Sequence, residues 1–173
     1  DLKIPLLESA IGEDGALKQQ LEADLKAHKA DRASAKEAIA KATALREKEA
    51  SAFAQASSDL KTNIGALDKA IPAIEKGMGS SFLQSSSASL LKKIVMSRNL
   101  MDADRQDVLA FLSGSADYAP ASGEITGILK TMGDEMKVDL NDAVTKEGEA
   151  VAAYEELMVA KKKEVNALTK MIE

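Results

Sequence analysis

Residues 122–173 read SGEITGILKTMGDEMKVDLNDAVTKEGEAVAAYEELMVAKKKEVNALTKMIE. The apolar residues of this stretch fall at Ile125, Leu129, Met132, Met136, Leu140, Ala143, Ala150, Tyr154, Leu157, Val165, Leu168 and Ile172. Steps of three and four place side chains on one stripe of an α-helix, where a strand would need alternation. A long helix follows, with Ser122 as its expected cap. Gly127, Gly133 and Gly148 interrupt it with residues that cost about 1 kcal/mol each relative to Ala, and they mark either close helix contacts or flexible points.

The first half of the chain carries the same pattern at Phe53, Leu60, Ile64, Leu67, Ile71, Ile74 and Met78. Upstream the stripe continues through Leu17, Leu21, Leu25, His28, Ala35, Ile39 and Ala42. Small alanines permit close helix approach but bury little area. Pro72 removes a backbone donor and clashes with the carbonyl of Asp68, so it predicts a kink in the last turn. Gly77 and Gly79 are expected to stop this helix. Before it, Pro5, Gly12 and Gly15 predict a short turn and a break, with Asp14 capping the long helix that follows.

The intervening segment has a different character. Ser85, Ser86 and Ser87 precede Leu90, Leu91, Ile94 and Val95, the pattern of a Ser-capped short helix. Asp102 is the expected cap of a second one, and Gly114 stands where a helix-ending glycine belongs. Tyr118, Ala119 and Pro120 form the following loop. The expected architecture is all-α: a long antiparallel, coiled-coil-like helical hairpin with a small two-helix knob at its tip. Its parts are an N-terminal extension (1–15), long helix A (16–77), the knob (78–121) and long helix B (122–173), one domain overall. Helix A alone would span about 90 Å at the α-helical rise.

Two short internal matches accompany the pattern. Residues 66–71 (ALDKAI) resemble 167–172 (ALTKMI), and 21–25 (LEADL) resemble 136–140 (MKVDL). Duplication of a helix–knob unit and convergence on a biased alphabet both account for them.

Composition agrees with long helices. Charged residues make up 29% of the chain, aromatics 3%, and Trp is absent, unlike an aromatic-rich globular core. The net charge is −5 and the basic residues alternate with acidic ones, so no basic face exists for a phosphate backbone. Lys161, Lys162 and Lys163 form one basic turn beside Glu155, Glu156 and Glu164, which reads as a solvated face. The absence of Cys excludes disulfides, thiolate metal sites and Cys nucleophiles. No apolar run reaches the length of a membrane span. The chain begins at Asp1 without a signal-peptide pattern, as a trimmed or mature segment would.

Candidate chemistry is sparse. His28 has Asp24 and Asp31 at i−4 and i+3, a conceivable metal cluster, but one His on a long helix is better read as seam or surface. Asp102, Asp104 and Asp107 lack the glycine and distal Glu of a calcium loop, and suit a helix N-terminus instead. No phosphate-cradling loop or nucleophile elbow is present. No catalytic, metal or cofactor-binding residue is assigned, and no cofactor is expected. Phe82, Leu83, Phe111 and Tyr118 are the candidate partner contacts. They either dock a partner protein or fill the knob's own core.

Four segments resemble repeat units of long-helix proteins abundant in dinoflagellate algae: residues 79–84 (GSSFLQ), 100–106 (LMDADRQ), 111–114 (FLSG) and 118–130 (YAPASGEITGILK). The resemblance covers most of the chain from about residue 15. It implies a helical repeat unit of a photosynthetic alga, with a chloroplast location at the thylakoid periphery and photosystem or antenna subunits as partners. It carries no catalytic residues. The expected function is therefore a non-enzymatic scaffold that braces a larger protein assembly. Its alternatives are a peripheral amphipathic module on a membrane surface and a self-associating bundle or filament element.

Overall fold

The computed structural model describes residues 3–76, 82–114 and 122–173. They form four α-helices: α1 (Lys3–Glu75), α2 (Ser86–Ser97), α3 (Asp102–Ser113) and α4 (Ser122–Ile172). No strand occurs among the described residues. The long N-terminal helix packs antiparallel against the long C-terminal one, with Lys130 on Glu75 and Lys137 on Asp68. The chain resolves into two compact units: residues 50–148, and residues 1–49 with 149–173.

The unit of residues 50–148 holds the hydrophobic core. Ala66, Leu67, Ala70 and Ile74 of α1 meet Ile125, Leu129, Met132 and Met136 of α4. Phe82, with Ala88, Leu91, Ile94 and Val95 of α2 and Val108 and Leu112 of α3, completes the cluster. The two short helices thus cover faces that a two-helix seam would leave open. Gly133 is buried, and a Cβ added there would make ordinary contact with Leu67 Cδ1 of α1 at 3.8 Å.

Local signals set the short helices. The hydroxyl of Ser85 accepts the backbone N–H of Ala88 at 3.3 Å, a side-chain N-cap. Gly114 adopts φ +67° and ends α3, a conformation that costs other residues about 1 kcal/mol or more. Met101 holds the N-cap position of α3 and makes no side-chain capping bond. Asp102, expected as that cap, is the first helical residue, where it and Asp104 complement the helix dipole. Pro72 lies inside α1, which continues to Glu75. The loop Tyr118–Ala119–Pro120, the stop at Gly77 and Gly79, Met78, and the capping side chain of Ser122 lie outside the described residues.

The unit of residues 1–49 and 149–173 contains only α1 and α4 segments. Its seam on α1 runs through Leu25, His28, Arg32, Ala35, Ile39, Ala42 and Arg46, all buried or half-buried. On α4 it runs through Ala150, Tyr154, Met158, Lys161, Val165, Leu168 and Ile172. Ala35 is its one fully buried apolar side chain among the described residues, at 2% exposure. Polar contacts stitch the rest. Thr43 donates its hydroxyl to the carbonyl of Ile39 at 2.9 Å, which leaves Tyr154 to donate to Thr43 at 3.0 Å. Thr169 donates to the carbonyl of Val165, and Arg32 reaches its oxygen at 3.5 Å.

Three expectations are corrected here. The helix does not break at Gly12 and Gly15 but starts at Lys3, with Pro5 in its first turn, where a missing N–H costs nothing. Leu17 and Leu21, expected on the seam, are exposed. Leu157 is also exposed, and the seam passes instead through Met158 and Lys161. From Tyr154 the alternating steps reach 158, 161 and 165. The lysine at 161 hides this phase in the sequence: its side chain is half-buried in the seam while its ammonium reaches Glu164 at 2.7 Å.

Candidate functional site

Phe82 lies in the core at 7% exposure, and Leu83 and Phe111 are half-buried against the same cluster. Tyr118 lies outside the described residues. The three described side chains therefore converge on one cluster where α2 and α3 meet the long helices.

Beside that cluster, two arginines organise the α2–α3 turn. Arg105 Nη2 donates to the carbonyls of Arg98 and Leu100 at 3.3 and 3.2 Å, and its Nη1 pairs with Asp102 at 2.6 Å. Arg98 Nη1 pairs with Asp139 of α4 at 2.8 Å. One guanidinium thus closes the turn between the short helices and the other ties that turn to α4, a task for which a planar, multi-donor cation suits better than lysine. Sequence reading missed both. The available signal was the pair of arginines bracketing residues 99–104, a short turn with carbonyls to satisfy.

An open groove of about 470 Å³ borders this turn, lined by Arg98, Thr131, Asp134, Glu135, Val138 and Asp139. Its carboxylates are already engaged in part, Asp139 by Arg98 and Asp134 by Lys137 at 3.9 Å. General acid–base work needs carboxylates that converge in a closed, water-excluding pocket, and this groove is open.

His28 is half-buried in the other unit. With Leu21, Asp24, Leu25, Met171, Ile172 and Glu173 it lines an open groove of about 400 Å³. No cluster of three or more metal-binding side chains occurs among the described residues. From Lys3 to Asp24 every residue of α1 is exposed. Ile4, Leu7, Ile11 and Leu21 stand 60%, 61%, 70% and 58% accessible. No helix of the described residues is long and apolar enough to cross a membrane.

Among known protein families, the model described as trichocyst matrix protein T1-F matches residues 13–173. No curated protein and no solved structure matches the chain. The family match overturns the assignment to dinoflagellate long-helix repeat proteins, which rested on short helix-forming and turn-forming segments with a biased alphabet. It also overturns the chloroplast location, since trichocysts are secretory organelles, and it lends no support to photosystem or antenna partners. With nearly its whole length matched, the chain belongs to the trichocyst matrix protein T1-F family.

Proposed function

We propose that this protein is a non-enzymatic structural element of the trichocyst matrix, which assembles with other matrix chains, copies of itself included, through the faces of its long helices. The family match over residues 13–173 carries this reading. The architecture is consistent with it. Side chains that could do chemistry are spread along solvated helix faces, and the grooves are open troughs. Two long helices provide extended lateral surface for few residues, which suits a packing element. Localisation tests the reading: immunogold labelling of the source cell with antibody to this chain is expected to mark the trichocyst interior. Label confined to another compartment would overturn it.

A further inference from the structure

We propose that residues 149–173 of α4 are a strap that lifts off α1 and closes again while the core of residues 50–148 stays folded, with Gly148 as its release point. The burial pattern along α4 changes after Met136. Ile125, Leu129, Met132 and Met136 are at most 1% exposed, and no later residue of the helix is fully buried. In the seam of the strap, Ala35 of α1 is the one fully buried side chain. Separating the long helices within the core would expose leucine, isoleucine and methionine side chains from a dry cluster, a large loss of apolar burial. Separating the strap from α1 exposes the methyl group of Ala35 and side chains that are already half-hydrated.

The polar contacts of the seam oppose this release only weakly. When the strap lifts, Tyr154 and Thr43, and likewise Arg32 and Thr169, exchange their mutual hydrogen bonds for bonds to water. Thr43 and Thr169 keep their bonds to the carbonyls of Ile39 and Val165, one turn back on their own helices. Gly148 supplies the flexible point. A glycine inside a helix has a packing reason where a side chain would collide, but a Cβ added at Gly148 meets nothing within 4 Å. Gly148 therefore weakens the helix without a packing reason, and it is the last residue of the unit that holds the core. Gly127 has the same open space, yet it lies between Ile125 and Leu129, both fully buried, and the core holds it in the helix.

Amide hydrogen exchange on the protein and three variants tests the strap. Leu67→Ala weakens the core and is expected to speed exchange at residues 66–74 and 125–136 by about a hundredfold. Exchange at residues 150–172 is expected to stay as in the wild type, because the strap opens without the core. Gly148→Ala is expected to slow exchange at residues 150–172 by about fivefold, since alanine favours the helix at the point that must bend. Gly127→Ala is expected to leave exchange at residues 150–172 unchanged, because position 127 is helical whether the strap is open or closed. Exchange at residues 150–172 that accelerates in Leu67→Ala in step with the core would show that the helices part only when the whole molecule unfolds, and would overturn the proposal. No change in Gly148→Ala, or an equal change in Gly127→Ala, would overturn Gly148 as the release point.

Discussion

Gly114 and Gly133 show how one residue type serves two purposes. Gly114 ends α3 at φ +67°, where a side chain strains the backbone. Gly114→Ala is expected to destabilise the fold by about 1 kcal/mol, read as a lower midpoint in urea unfolding. Gly133 is helical, and an alanine methyl there would make ordinary contact with Leu67 Cδ1 at 3.8 Å. Gly133→Ala is expected to stabilise the fold by about 0.5–1 kcal/mol through helix propensity; a lower urea midpoint would show that α1 and α4 lie closer than that contact allows. Position 114 was legible from the sequence, since a glycine after an apolar run is a helix stop. Gly133 could only be narrowed to close contact or flexible point, because what faces it comes from a segment more than sixty positions away.

At the scale of elements, helix type was readable from period alone, but neither the start of α1 nor the phase of the seam was. Met158 and Leu157 are adjacent and both apolar, and only packing against α1 decides which is covered. Leu67→Ala is expected to cost about 3 kcal/mol, as a fully buried leucine does. Leu157→Ala is expected to stay within about 0.5 kcal/mol of wild type. A large loss at Leu157 would mean that the seam takes the other phase. For the short helices we propose that the ring of Phe111 serves the core beneath it, and Phe111→Ala is then expected to lower stability by about 3 kcal/mol. An unchanged unfolding midpoint would assign that ring to a partner instead. The arginine bracing of the α2–α3 turn was hidden because its acceptors are backbone carbonyls and an aspartate on another helix, which no local pattern announces.

At the scale of the whole molecule, apolar burial is uneven. The unit of residues 50–148 holds the contiguous core, while the seam of residues 1–49 and 149–173 relies on Ala35, half-covered aliphatics and hydrogen-bonded polar side chains. Hydrogen exchange is expected to follow this difference. Amides of residues 66–74 and 125–136 should exchange only on global opening, and those of residues 25–49 and 150–172 much sooner by local separation of the helices. Equal protection along both helices would show that the polar contacts bind as strongly as the core.

The sequence by itself determined that this protein is made of two long amphipathic helices and a pair of short ones between them. Helical period, serine and glycine caps, and the absence of aromatic bulk are local properties written in neighbouring residues. The tertiary structure decided which of several apolar stripes is covered, where glycine meets leucine, and that residues 3–24 continue the long helix rather than form a broken extension. Those outcomes depend on which segments meet, and a period of 3.6 residues constrains a face without naming the surface that covers it.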